Sequence, residues 1–195
     1  AAARASQERA LAINEKAYGA DHDEVAITLG ALGCVQQELG ELAAARASLE
    51  RALAIFEKIY DPDHAHVAST LTNLGEVQRE LGELAAARAS QERALAIKEK
   101  AYGPDHAEVA RTLGNLGNVQ QDLGELAAAR ASQERALAIF EKAFGPDHTD
   151  VASTLGNLGL VQRQLGELAP ARASQERALA IKEKAYGPDH AEVAI

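Results

Sequence analysis

Between residues 109 and 137 the apolar positions fall three and four apart. Val109, Leu113, Leu116 and Leu123, with Gln120 among them, make one stripe. After an interruption at Gly124-Glu125, a second stripe runs through Leu126, Ala129, Gln133, Ala136 and Leu137. Each spacing is that of one face of an α-helix. No stretch alternates apolar and polar residues as a half-buried strand would, so the pattern predicts two helices, A and B, folded into a hairpin at the Gly-Glu turn. Helix B ends near Phe144, where Gly145-Pro146 cannot continue it.

The hairpin recurs. ARASQERALAI begins at Ala3, Ala87, Ala129 and Ala171, and at Ala45 with Leu49 in place of the glutamine, a spacing of 42 residues each time. GPDH recurs at 103, 145 and 187, with the variants GADH at 19 and DPDH at 61. The register predicts a single array over 1–195: a B helix at 1–18, A/B pairs at 22–60, 64–102, 106–144 and 148–186, and the start of a further A helix at 189–195. Neither end carries a polar capping element, so the chain reads as a slice of a longer array whose bare apolar ends could stack head to tail. Asp147 is placed to cap the following A helix, supported by Asp150 where other copies have Glu24, Glu108 or Glu192. Glu125 opens helix B near its positive end, and all seven lysines fall on B helices, toward the negative end.

Composition narrows the possibilities. Apolar residues reach 47% while aromatics are only 4%, so packing relies on small side chains at short distance, which favours helices. A net charge of -9 repels a nucleic-acid backbone. Cys34 is the only cysteine, which excludes an intrachain disulfide and makes the cytoplasm the expected compartment. No apolar run reaches membrane-spanning length, so no membrane partner is expected.

Leu116 and Gly117 in helix A, Leu123-Gly124 at the turn, and Ala129 and Ala136 in helix B recur in every copy. In this the chain resembles the tetratricopeptide repeat family, in particular the 42-residue class found in kinesin light chains. The resemblance implies an all-α, right-handed superhelical solenoid of antiparallel helix pairs, with the A helices lining a concave groove that holds an extended peptide or a helix of a partner protein. Gly117 and Ala129 are expected where the two helices approach most closely. The chain departs from the family at two positions that usually carry bulky aromatics. Helix A has Gln36, Gln78, Gln120 and Gln162 there, and helix B has Gln7, Gln91, Gln133 and Gln175, with Leu49 the exception. An unpaired amide in an apolar stripe costs about 1 to 3 kcal/mol, so these glutamines are expected to bond to each other or to backbone carbonyls as a polar rung, unless they sit at the stripe's wet edge.

Applied position by position, the resemblance makes the candidate peptide-binding residues Asn73, Glu76 and Arg79, then Arg111, Asn115, Asn118 and Gln121, then Asn157, Leu160 and Arg163. Cys34, Glu76, Asn118 and Leu160 occupy one equivalent position and all differ, as do Ile27, Ser69, Arg111 and Ser153 except for the repeated serine. Variation there, against near-constancy elsewhere, marks a surface that reads a ligand. Asn73, Asn115 and Asn157 would form a ladder of amides; in the family, asparagine at this position grips a peptide backbone. Gly30, Gly114 and Gly156 stand one residue earlier, each costing about 1 kcal/mol inside a helix, and close approach of a ligand backbone would explain them. No lysine lies on an A helix, which departs from the carboxylate-clamp type and points to a ligand of mixed charge.

Catalytic chemistry has little to build on. His22, His64, His106, His148 and His190 recur once per copy, so they are separated rather than convergent, and capping or packing against Tyr102-type residues is their expected role. LGNLGN lacks the glycine pattern and lysine of a phosphate loop. No enzyme activity, metal or cofactor is expected. The competing reading is a structural spacer or self-associating rod without a specific ligand.

Overall fold

The computed structural model describes residues 2–187 and His190. Among the described residues every regular element is a helix: α1 (Ala2–Tyr18), α2 (Asp23–Glu38), α3 (Leu42–Ile59), α4 (Ala65–Glu80), α5 (Leu84–Tyr102), α6 (Ala107–Asp122), α7 (Leu126–Phe144), α8 (Thr149–Gln164) and α9 (Leu168–Tyr186). The even-numbered helices are the expected A helices and the odd-numbered ones the B helices. The beginning of a further A helix at 189–195 lies outside the described residues apart from His190.

The chain divides into two compact units, residues 1–101 and 102–195. In the first, α2 pairs with α3, α1 packs on α2 and α3 on α4. Its core joins Val25, Ala26 and Leu29 of α2, Ala52, Ile55 and Phe56 of α3, Val67, Ala68 and Leu71 of α4, and Ala94 and Ile97 of α5. In the second, α6 pairs with α7 and α8 with α9, while α7 packs on α8. Val109, Leu113, Leu116, Ala129, Ala136, Ile139, Phe140, Val151, Leu155 and Leu158 are buried there. Within each unit the helices bury their apolar stripes against those of the neighbouring hairpin, the arrangement of a repeat protein.

Glycine sets the turn from A to B. At Gly124 the backbone enters the left-handed region (φ 77), which lets the Gly124 N–H reach Gln121 O and the Glu125 N–H reach Gln120 O. Those two bonds satisfy the last carbonyls of α6 and reverse the chain within two residues. Of the turns from B to A, the one at 61 departs from the others: Asp61 stands where glycine occurs at 19, 103, 145 and 187, and it keeps a negative φ. There the Asp61 carboxylate accepts the Asp63 N–H at 2.9 Å, and its carbonyl accepts the His64 N–H at 2.9 Å.

The caps of the A helices differ from expectation. The N-cap residues are His22, His64, His106 and His148, whose Nδ1 accepts the N–H of Glu24, His66, Glu108 and Asp150 at 3.2–3.3 Å. Asp147, expected as the cap, pairs instead with Lys184 across the next repeat, as Asp105 pairs with Lys142 at 2.6 Å. Its carboxylate is drawn to a cation 37 residues away, and the adjacent imidazole takes the N-cap. His22, His64, His106 and His190 stack on the aromatic ring that closes the preceding B helix, Tyr18, Tyr60, Tyr102 and Tyr186, while His148 meets Phe144 at a tilt. Glu125 and its equivalents Glu41 and Glu167 do begin the B helices, and none makes a side-chain cap.

Candidate functional site

The glutamines hold each hairpin together, through partners the sequence only half indicates. On the A side, Gln36, Gln78, Gln120 and Gln162 accept at Oε1 from Ser48, Ser90, Ser132 and Ser174 of the facing B helix, each at 2.8 Å. On the B side, the Nε2 of Gln91, Gln133 and Gln175 donates to the carbonyls of Thr72, Gly114 and Gly156 at 2.9–3.1 Å. Backbone carbonyls are therefore part of the rung, but the two glutamines of a hairpin do not bond each other. The serine before each B-helix glutamine, constant in every ARASQER phrase, was the missed signal.

These glutamines fill the space beside the helix-A glycines, and the close approach expected at Gly117 and Ala129 is visible in the first hairpin, where a methyl group on Gly33 would lie 3.3 Å from the Ala45 carbonyl oxygen. A methyl group on Gly117 would lie 2.7 Å from Gln133 Nε2, and one on Gly75 or Gly159 would meet Gln91 or Gln175 as closely. In the first hairpin Leu49 takes the glutamine's place, 2.7 Å from the same point on Gly33. Each glycine thus opens a slot in helix A that a B-helix side chain fills.

Beside these slots, neighbouring A helices share a face. In the first unit, Asn73 of α4 donates Nδ2–H to Cys34 Sγ of α2 at 3.3 Å, and Gln37 donates to Glu80 at 2.7 Å. Glu76 and Arg79 are half-buried beside them. Burial pushes the Cys34 thiol above its ordinary pKa, and the carboxylates of Glu76 and Glu38 push it further. A thiol so placed is a poor nucleophile at neutral pH. In the second unit, Gln121 of α6 donates to Gln164 of α8 at 3.1 Å, and Arg111 pairs with Glu108 and reaches Asp150 at 3.7 Å. Asn118 turns toward α7, where its Oδ1 accepts from Gln133 Nε2 at 3.0 Å. Asn115 and Asn157 are half-buried one helix apart, and Leu160 and Arg163 are exposed. Leu160 also faces α9, lining a cavity with Leu168, Ala171 and Leu179.

The B helices carry a different surface. Successive B helices are laced by ion pairs: Arg51 with Glu15 at 2.6 Å, Arg93 with Glu57, and Arg177 with Glu141 at 2.6 Å. Among the described residues no group of three or more His, Cys, Asp or Glu side chains is placed to hold a metal ion, and no helix is long and apolar enough to cross a membrane.

Four overlapping segments, residues 1–58, 37–100, 67–142 and 108–184, match the tetratricopeptide repeat family model. The chain is a tetratricopeptide repeat protein. Solved tetratricopeptide-like structures share its fold. A Podosopora anserina protein described as a kinesin light chain with nearly identical TPR-like repeats superposes with a TM-score of 0.76 at 22% identity, over 92% of this chain and 85% of that one. BtubC (BKLC) from P. vanneervenii gives 0.79 at 23% identity, over 93% and 73%. The apo form of RapI gives 0.78 at 20% identity, over 90% of this chain and 62% of that one. Among curated protein sequences there is no match. Identities this low establish the shared fold of tetratricopeptide helix hairpins.

Proposed function

We propose that this tetratricopeptide chain is a protein-interaction scaffold whose A-helix face holds an extended peptide or a helix of a partner. One observation carries the reading: two A-helix positions that change between copies are accessible, while the apolar A-helix positions that repeat beside them are buried. Ile27, Ser69, Arg111 and Ser153 are exposed, and Cys34, Glu76, Asn118 and Leu160 are half-buried or exposed. By contrast Val25, Val67, Val109 and Val151 all lie in the core, as do Leu29, Leu71, Leu113 and Leu155. Change at accessible A-helix positions beside a constant A-helix core is what a surface that reads a ligand needs.

Asn73, Asn115 and Asn157, with Arg79, Gln121 and Arg163 along the same helices, would supply the polar contacts, and Leu160 an apolar one. A net charge of -9 argues against nucleic acid as the partner, and the single cysteine fits a cytoplasmic setting. The test is a peptide-array or pull-down screen with the intact chain, repeated with Asn73, Asn115 and Asn157 all changed to Ala. Loss of specific binders supports the groove; an unchanged set of binders refutes it.

A second reading, self-association, draws on the bare apolar cavity of about 650 Å³ between α8 and α9, whose Leu168 is 68% exposed. Sedimentation velocity over a hundredfold range of concentration decides it: a coefficient that rises supports stacking, and a constant one refutes it.

A further inference from the structure

In the first unit the A-helix face combines an apolar stripe with a border of negative charge. Along α2, Ile27, Ala31, Cys34 and Glu38 stand three or four residues apart and so share one side of the helix. Ile27 is 44% exposed, and a first side-chain carbon on Gly30 beside the stripe would meet nothing within 4 Å. That exposure belongs to the position, because Ser69, Arg111 and Ser153 are exposed at the equivalent places. Ile27 is the apolar member of that set. In α6 the same stripe reads Arg111, Asn115 and Asn118, all polar.

Carboxylates surround the stripe. Helices α2 and α4 carry Asp23, Glu24, Glu38, Glu76 and Glu80, with Arg79 their single arginine and no lysine. On the B-helix side of the unit, carboxylates meet cations: Glu15 meets Arg51, Glu57 meets Arg93 and Asp21 meets Lys58. On the A-helix side Glu80 accepts from the neutral amide of Gln37 at 2.7 Å, and Glu76 and Glu38 both lie near enough to Cys34 to act on its thiol. An incoming cation therefore meets an excess of negative charge here.

The amides of this face already donate within the protein. Asn73 donates to Cys34 and Gln37 to Glu80, so a ligand meets mainly apolar groups and carboxylates. An extended chain needs donors and acceptors for its own backbone, whereas the interior N–H and C=O groups of an α-helix are bonded to one another. The stripe from Ile27 to Glu38 is about 16 Å long, about three turns of a partner helix, and the small side chains at 30, 31 and 34 allow such a helix to come close.

We propose that the face formed by α2 and α4 docks a basic amphipathic helix of a partner protein, its apolar stripe on Ile27, Ala31 and Cys34 and its lysine or arginine row beside Glu38 and Glu76. This rests on the A-helix face being a binding groove, and it narrows the occupant of that part of the groove to a helix of stated charge.

The probes are fluorescent stapled helices of about 18 residues, long enough to hold their fold. All share one leucine stripe, flanked by a row of lysines in one helix and of glutamates in the other; a third keeps the lysines and replaces the leucines by serine. Affinities for the intact chain are read by fluorescence polarisation. The variants use residues that this chain already carries at equivalent positions: Ile27→Ser, as at 69 and 153, and Glu76→Asn with Glu38→Gln, as at 118 and 164. The control is Glu50→Gln with Glu92→Gln, which changes net charge equally on exposed B-helix positions of the same unit. The leucine–lysine helix is expected to bind the wild type more tightly than either other probe. Ile27→Ser should weaken it about tenfold, the value of covering much of one large apolar side chain. Glu76→Asn with Glu38→Gln should abolish the preference for lysine over glutamate, and the control should keep it. A preference that survives the A-helix pair, an equal loss in the control, or full affinity on Ile27→Ser overturns the proposal. If the leucine–lysine helix does not bind but array-selected extended peptides still do, and are lost when Asn73, Asn115 and Asn157 become Ala, the groove stands and this occupant is wrong. If neither class binds, both readings fall.

Discussion

Gly114 and Gly117 sit one turn apart on α6, and the same substitution, glycine to alanine, should have opposite effects at the two. At Gly114 the new methyl meets nothing closer than Gln133 Oε1 at 4.0 Å. Only the helix-propensity gain remains, about 1 kcal/mol of added stability. At Gly117 the methyl would lie 2.7 Å from Gln133 Nε2 and 3.0 Å from Cδ, so the amide must leave its slot. It then loses its bonds to Gly114 O and Asn118 Oδ1, at about 1 to 1.5 kcal/mol each for a buried group. Set against the same propensity gain, Gly117→Ala should destabilise by about 1 to 2 kcal/mol, leaving the two variants about 2 to 3 kcal/mol apart. For a chain of this size that separates their melting midpoints by about 5 to 10 °C. Urea titration and thermal melts followed by circular dichroism would measure it, with Gln133→Leu as a further background. If Gly117→Ala is as stable as Gly114→Ala, the glutamine slot is not what holds α6 against α7.

Other expectations follow from the caps, the thiol and the ion pairs. Replacing His106 by alanine removes the acceptor for the Glu108 N–H and should cost about 1 kcal/mol by chemical denaturation, with His106→Asp restoring most of it. Because burial and then Glu76 and Glu38 raise the Cys34 thiol, iodoacetamide at pH 8 should modify it more slowly than a free cysteine, and Glu76→Gln should speed the reaction without reaching the free rate. The Asp105 carboxyl is held below its ordinary value first by the hydrogen bond from Lys142 and then by its charge. Lys142→Ala should therefore raise the Asp105 midpoint in a carbon-13 titration while leaving the melting curve almost unmoved, since both groups are exposed.

The helices were legible because Val109, Leu113 and Leu116 repeat their three-and-four spacing in every copy, and a stripe that narrow admits one kind of element. Helix ends were legible to within about two residues, since a glycine or a proline punctuates every turn. The capping residue was not. Local preference favours aspartate over histidine at an N-cap, but Asp147 is captured by Lys184, a contact made only once the next hairpin has folded. The glutamines could be recognised as an anomaly, since so many amides in an apolar stripe must find partners. Which partners depended on side-chain reach across the hairpin, and this brought in Ser132 for Gln120 and the Gly114 carbonyl for Gln133. The candidate face is mixed in the same way. Position alone put Asn73, Asn118 and Gln121 on one face, but only the coordinates show Asn73 bonded to Cys34, Asn118 to Gln133 and Gln121 to Gln164.

The central claim is that ligands lie across the A helices. Hydrogen–deuterium exchange of the intact chain with and without a selected peptide tests it most directly. The account predicts slowed exchange at the accessible A-helix segments around Asn73, Asn115 and Asn157, with the B-helix surfaces around Arg51, Arg93 and Arg177 unchanged. Protection confined to α3, α5, α7 or α9, or to the turns, would contradict it.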